Sequence, residues 1–122
     1  MQILCTTPPV PSDAPVTLLA LHGEVDRDRA ELLRDCLAYG VQQNTDVLVD
    51  LADVALLDCA SLGALVEAGH LAERRGHRLC LTSPRPLVRR TLAATGLDTV
   101  FPVYQDCRRA LAELTPRVPV AA

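Results

Sequence analysis

The sequence predicts an α/β domain: a mostly parallel sheet of four to five strands, with about four helices and right-handed βα crossovers. Three observations predict it. Short apolar runs alternate with longer segments of helical periodicity in the order β(β)αβαβαβα, the pattern of strands joined by helical crossovers. The run Asp46-Val47-Leu48-Val49-Asp50-Leu51 is almost wholly apolar, as in a strand covered on both faces. The helical segments also carry their own punctuation, with Pro86 placed for a first turn and Gly76 and Gly96 placed for helix ends.

Taken in order, a short start that can supply a first strand is followed by the proline-broken stretch 8–13, a turn or loop. Residues 16–22 read as a strand closed by Gly23. In 26–44, Ala30, Leu33, Leu37 and Val41 fall on one helical face, joined by Cys36 and Gly40. Asp28 with Glu31 resembles a capping box, and Asp26 is an equally good cap. After the strand 46–51, a second helix begins near Ser61, buries Leu62, Leu65, Val66 and Gly69, and stops at Gly76 after Arg74 and Arg75. Residues 78–82 form the next strand, and a third helix from Pro86 to Gly96 carries Val88, Leu92 and Thr95 inward. Residues 100–104 read as an edge strand, because Pro102 forfeits a ladder donor. Asp106 caps a last helix over 107–114. One domain covers 1–115, and 116–122 is a proline-broken tail expected to be mobile.

Composition removes several classes of function. A chain of 122 residues has room for one core, which buries about two-thirds of the unfolded surface. Half of it is hydrophobic but only 2% is aromatic, namely Tyr39, Phe101 and Tyr104, so the core is built from Leu, Val and Ala. Stacking platforms for single-stranded nucleic acid are therefore not expected. The net charge is -3, all twelve cations being Arg, which argues against a general basic face and so against direct nucleic-acid binding. The five cysteines are odd in number and contain no C-x-x-C pair, so free thiols in a reducing compartment are expected. Cys36 and Cys80 sit in apolar patterns, where a thiol acts as a small hydrophobe. The longest apolar stretch, 16–21, is far short of the roughly 20 residues that span a bilayer, and the first residues do not read as a secretory signal. These readings give a cytoplasmic protein without membrane insertion.

Five segments are more specific than the pattern. They are Gly23-Glu24-Val25-Asp26; the stretch from Val49-Asp50-Leu51 through Asp58-Cys59-Ala60-Ser61-Leu62-Gly63 to Leu65; Arg74-Arg75-Gly76; Val88-Arg89-Arg90-Thr91-Leu92; and Thr95-Gly96-Leu97-Asp98. In this order and spacing they resemble the STAS domain of bacterial anti-sigma-factor antagonists, over most of the chain. The resemblance implies a regulatory binding protein, not an enzyme. It implies a partner that is an anti-sigma factor of the kinase/ATPase type; family members have been associated with nucleotide binding, but nothing in these residues identifies a pocket for it, and neither a cofactor nor a metal is expected.

In those antagonists the second segment reads Asp-Ser-Ser/Thr-Gly-Leu, and its first hydroxyl residue, at a helix start, is phosphorylated by the partner. Adding about -1.5 to -2 charges beside a carboxylate there changes the docking surface. The resemblance places Asp58 on the family's aspartate, Cys59 on the phospho-acceptor, Ala60 on the second hydroxyl position and Ser61 on the glycine. The acceptor hydroxyl is missing, so phosphorylation at position 59 is not expected to switch this chain. Ser61 is turned about 200° from position 59 on the helix, so a kinase built for position 59 would not find it, and a hydrogen bond within the first helical turn accounts for it better than a phosphosite does.

Each singled-out residue has a plain reading beside its functional one. Asp26 and Asp58 suit partner contact or helix capping. Cys59 reads as a reactive thiol or as an inert small residue, with the neighbouring carboxylate working against a thiolate. His22, His70 and His77 are far apart in sequence and suggest neither a metal site nor a Cys–His dyad. Arg89 and Arg90 read as a solvated helix face. The partner-binding set is thus Asp26, Asp58, Cys59, Ala60, Ser61 and Leu62. The leading expectation is an antagonist that sequesters an anti-sigma factor and frees a sigma factor. The alternative is a scaffold or regulatory subunit of a stress-signalling assembly or of a lipid-transport ATPase complex. No catalytic constellation is found, and the oligomeric state, a homo-oligomer included, is open.

Overall fold

The computed structural model describes residues 2–6, 16–25, 30–42 and 45–114, with the backbone alone for 2–6, 22–25, 30, 111, 113 and 114. The chain runs β1 (Gln2–Thr6), β2 (Val16–Val25), α1 (Ala30–Gln42), β3 (Asp46–Leu57), α2 (Cys59–Arg74), β4 (Leu79–Thr82), α3 (Pro86–Thr95), α4 (Leu97–Val100), β5 (Val103–Tyr104) and α5 (Cys107–Leu114). The strands form one sheet in the order β1-β2-β3-β4-β5. β1 is antiparallel to β2, and every other neighbouring pair is parallel. The α/β class and the mostly parallel sheet agree with the sequence.

Strand alternation divides the core between two faces. From β3, Val47, Val49 and Leu51 join Leu19, Leu79 and Leu81 in the main core, which α1, α2 and α3 cover with Leu33, Leu37, Leu65, Val88 and Leu92. Leu48 and Cys80 point the other way, into a smaller cluster with Val16 and Ala110 under α5. This explains the apolar run that marked β3: its middle residues are buried whichever way they point.

Several boundaries differ from the sequence reading. β3 runs six residues past Leu51, because two irregularities in its pairing with β2 each place one extra residue in β3. Each extra residue flips the inward phase, so Leu51, Val54 and Leu57 all turn to the core at a spacing of three. α2 begins at Cys59, two residues ahead of the expected Ser61, because Asp58 is the cap. The expected strand over 100–104 shrinks to Val103–Tyr104: residues 97–100 form the short helix α4, Phe101 turns into the main core, and Pro102 has no N–H to give. α4 raises the helix count among the described residues to five. Thr95 is exposed, its hydroxyl donating to the carbonyls of Thr91 and Leu92.

Two glycines meet specific demands. Gly96 ends α3 with φ +76°, the left-handed region that a side chain would strain. Gly69, inside α2, lies against the Phe101 ring, and a Cβ there would stand 2.4 Å from the ring edge. The loop expected at 8–13, the helix residues 26–29 and 43–44 and the tail 116–122 lie outside the described residues.

Candidate functional site

The residues following β3 place the segment that the sequence singled out. Asp58 adopts an extended backbone and its carboxylate accepts a hydrogen bond from the Ser61 N–H at 2.9 Å, while its carbonyl accepts from the Leu62 N–H at 3.0 Å. Asp58 is thus the N-cap of α2, its carboxylate supplying an acceptor for one of the first-turn N–H groups that have no partner within the helix. Cys59 is the first helical residue and is exposed; Ala60 is half-buried; Ser61 and Leu62 are buried, Ser61 completely. The helix turns Cys59 outward and Ser61 into the domain, and no buried side-chain oxygen or nitrogen among the described residues lacks a hydrogen-bond partner.

Beside Cys59 lies a shallow apolar depression of about 250 Å³, lined by Cys59, Leu62, Gly63, Val66, Thr95 and Leu97. Two elements build it: the first two turns of α2, and the junction where Gly96 turns the chain from α3 into α4. On the same end of the sheet, Leu56 on the extended part of β3 is largely exposed. Arg85, ahead of α3, donates from Nε to the Ala52 carbonyl at 2.8 Å and lies 3.9 Å from the Asp53 carboxylate. These contacts tie the start of α3 to β3.

Asp58, Cys59 and Leu62 are brought together at one surface, with Ala60 beside them. Ser61 is not on that surface, and Asp26 lies outside the described residues. Val66, Thr95, Leu97 and Leu56 were missed as surface-forming residues. Thr95 and Leu97 lie in a singled-out segment, but the pattern does not show which of α2's residues they face.

The thiols differ in surroundings. Cys36, Cys59, Cys80 and Cys107 form no disulfide. Burial pushes the Cys80 thiol up to about 11. Burial, with the Asp50 and Asp106 carboxylates adding to it, also raises Cys107. His70 and His77 share a cavity at the other end of α2, which spans about 24 Å. Among the described residues, no group of three or more His, Cys, Asp or Glu is placed to hold a metal ion, and no helix is long and apolar enough to cross a membrane. Arg89 and Arg90 are both exposed.

Comparison with known proteins agrees with this geometry. The STAS domain family matches residues 7–110. A Mycobacterium tuberculosis protein described as a candidate anti-anti-sigma factor is 30% identical over 85% of this chain and 74% of its own length. The anti-sigma F factor antagonist of Paenibacillus polymyxa is 26% identical over 81% and 86%. A Thermotoga maritima crystal structure, described as that of an anti-sigma factor antagonist, superposes with a TM-score of 0.77 at 26% identity, covering 86% of this chain and 90% of that one. The chain belongs to the STAS domain family, and within it to the family of anti-sigma-factor antagonists.

Proposed function

We propose that this chain is a regulatory binding protein that docks an anti-sigma factor of the kinase/ATPase type on the surface around the start of α2, and that sequestering this partner releases a sigma factor. Asp58, Cys59, Ala60 and Leu62 contribute to the interface, and Asp26 joins it from the segment ahead of α1. Ser61 supports it from within. The single observation that carries the reading is an exposed helix start, capped by Asp58, beside an apolar depression and in the segment that resembles the family's docking motif. An apolar hollow rimmed by a helix terminus offers a partner both buried area and hydrogen-bond donors.

Cys59 stands where these antagonists carry the phospho-acceptor, so a partner kinase has no hydroxyl there to modify. Ser61 does not replace it, because a buried side chain turned away from that surface is closed to a kinase. The protein therefore acts as a binding module whose activity is set by its amount or by its partner's state.

Affinity capture from the native cell, followed by a binding assay with the recovered protein, tests the reading. Recovery of a histidine-kinase-like ATPase that binds the wild type is the expected result. A Cys59→Ser variant that the same ATPase phosphorylates, while leaving the wild type unmodified, identifies an antagonist with its switch removed. The missing hydroxyl also suits a second reading, a scaffold or regulatory subunit, and capture of permease and transport-ATPase subunits or of a multi-protein stress complex would replace the first reading with that one.

A further inference from the structure

Away from the proposed docking surface, at the far end of α2, the structure has a half-open cavity of about 320 Å³. Its walls are Gly69, His70 and Glu73 of α2, His77, Arg78 and Leu79 leading into β4, and the segment from Val100 to Pro102. The volume is at the small end of the range for ligand pockets, roughly 300–1,000 Å³. Its apolar side comes from Phe101, Pro102 and Val100, of which Val100 is more than half exposed. Gly69 lets the Phe101 ring lie against the helix instead of filling the hollow.

The polar side carries one charge of each sign with spare capacity. Asp46 is occupied: it accepts from the Arg78 backbone N–H at 2.9 Å and lies 3.6 Å from His77 Nδ1 and 3.8 Å from an Arg78 guanidinium nitrogen. Among the described residues, that loose contact alone engages the Arg78 guanidinium, and the side chain is half exposed. Glu73 makes no ion pair among the described residues. A purely anionic ligand would meet Arg78 but be opposed by Glu73, and a purely cationic one the reverse.

We propose that this cavity binds a small zwitterion of the amino-acid class, its carboxylate on Arg78, its ammonium on Glu73 and its apolar side chain against Val100, Phe101 and Pro102. His70 and His77 also line the cavity and offer ring nitrogens for hydrogen bonding. Arg is suited to the carboxylate through its fork of donors, and Glu to an ammonium.

Three related probes test it on the whole protein: L-phenylalanine, 3-phenylpropionate without the ammonium, and phenethylamine without the carboxylate. Amide NMR titration should show L-phenylalanine moving Gly69, Glu73, Arg78 and Phe101 saturably, with at least about tenfold tighter binding than either analogue. Glu73→Gln should bring L-phenylalanine down to the level of 3-phenylpropionate, and Arg78→Gln down to that of phenethylamine. Both side chains are exposed, and the comparison of the three probes on the wild type stands without the variants. Equal binding of all three, shifts spread over the surface, or no saturable shift with any of them overturns the proposal.

Discussion

Cys59 and Ser61 are two residues apart, and because two helical steps rotate about 200°, one faces solvent and the other is fully buried. That step separates a position open to modification from one that is closed. It also makes the thiols distinguishable: peptide-mapped labelling of the native protein should reach Cys59 readily and Cys80 only after unfolding. Asp58 can be tested apart from any partner. Its carboxylate caps α2, so Asp58→Ala should lower stability by about 1 kcal/mol, while Asp58→Asn should keep most of it, as read from urea midpoints. Cys80 gives a pH dependence of defined sign. Its folded-state pKa of about 11 lies above the ordinary 9.0, so between these values the unfolded chain releases a proton that the folded chain retains. Stability contributed through this thiol is complete below pH 9 and falls as pH rises towards 11. Urea midpoints measured from pH 8 to 10.5 should therefore fall less steeply in Cys80→Ala, which has no thiol to ionise, than in the wild type.

At the scale of elements, α2 and the segment after α4 are fitted to each other through Gly69 and Phe101. A Cβ at position 69 would stand inside contact distance of the ring, so Gly69→Ala should destabilise by about 1–3 kcal/mol despite alanine's better helix propensity. In a Phe101→Leu background the same change should cost markedly less, and a double-mutant cycle by denaturant titration reads the coupling. That contact also shows where the sequence was legible. The Leu33-Leu37-Val41 stripe announced α1, and the run from Val47 to Leu51 announced β3, because period and apolarity alone decide such elements. The rest of β3 was hidden, since two bulges give its inward residues a spacing of three that suits neither a strand nor a helix template. The turn at 97–100 was hidden for a related reason: Val100, Phe101 and Val103 have strand-like propensity, and only the hollow over Gly69 draws Phe101 inward. In the site, the Asp58 cap was readable from chemistry, whereas the facing of Leu62 and Val66 by Thr95 and Leu97 depends on how α2 lies beside the α3–α4 junction.

Across the whole molecule, folding and partner binding make opposite demands on the start of α2, and one substitution separates them. A negative charge at the first helical residue meets the positive end of the helix dipole, which favours the folded state by roughly 0.3–1 kcal/mol. The same charge stands beside Asp58 on the surface proposed for docking, and there it adds repulsion or desolvation cost against any partner group shaped for a neutral residue. Cys59→Asp should therefore leave the melting temperature unchanged or slightly raised, while weakening binding of the captured anti-sigma factor by at least about tenfold. Cys59→Ser, neutral and close in size, should bind like the wild type until a kinase modifies it. If Cys59→Asp binds as tightly as the wild type, the start of α2 is not the interface, whatever the partner. If it loses binding together with melting temperature, the loss belongs to the fold. Only stability retained with affinity lost assigns the docking role to this helix terminus.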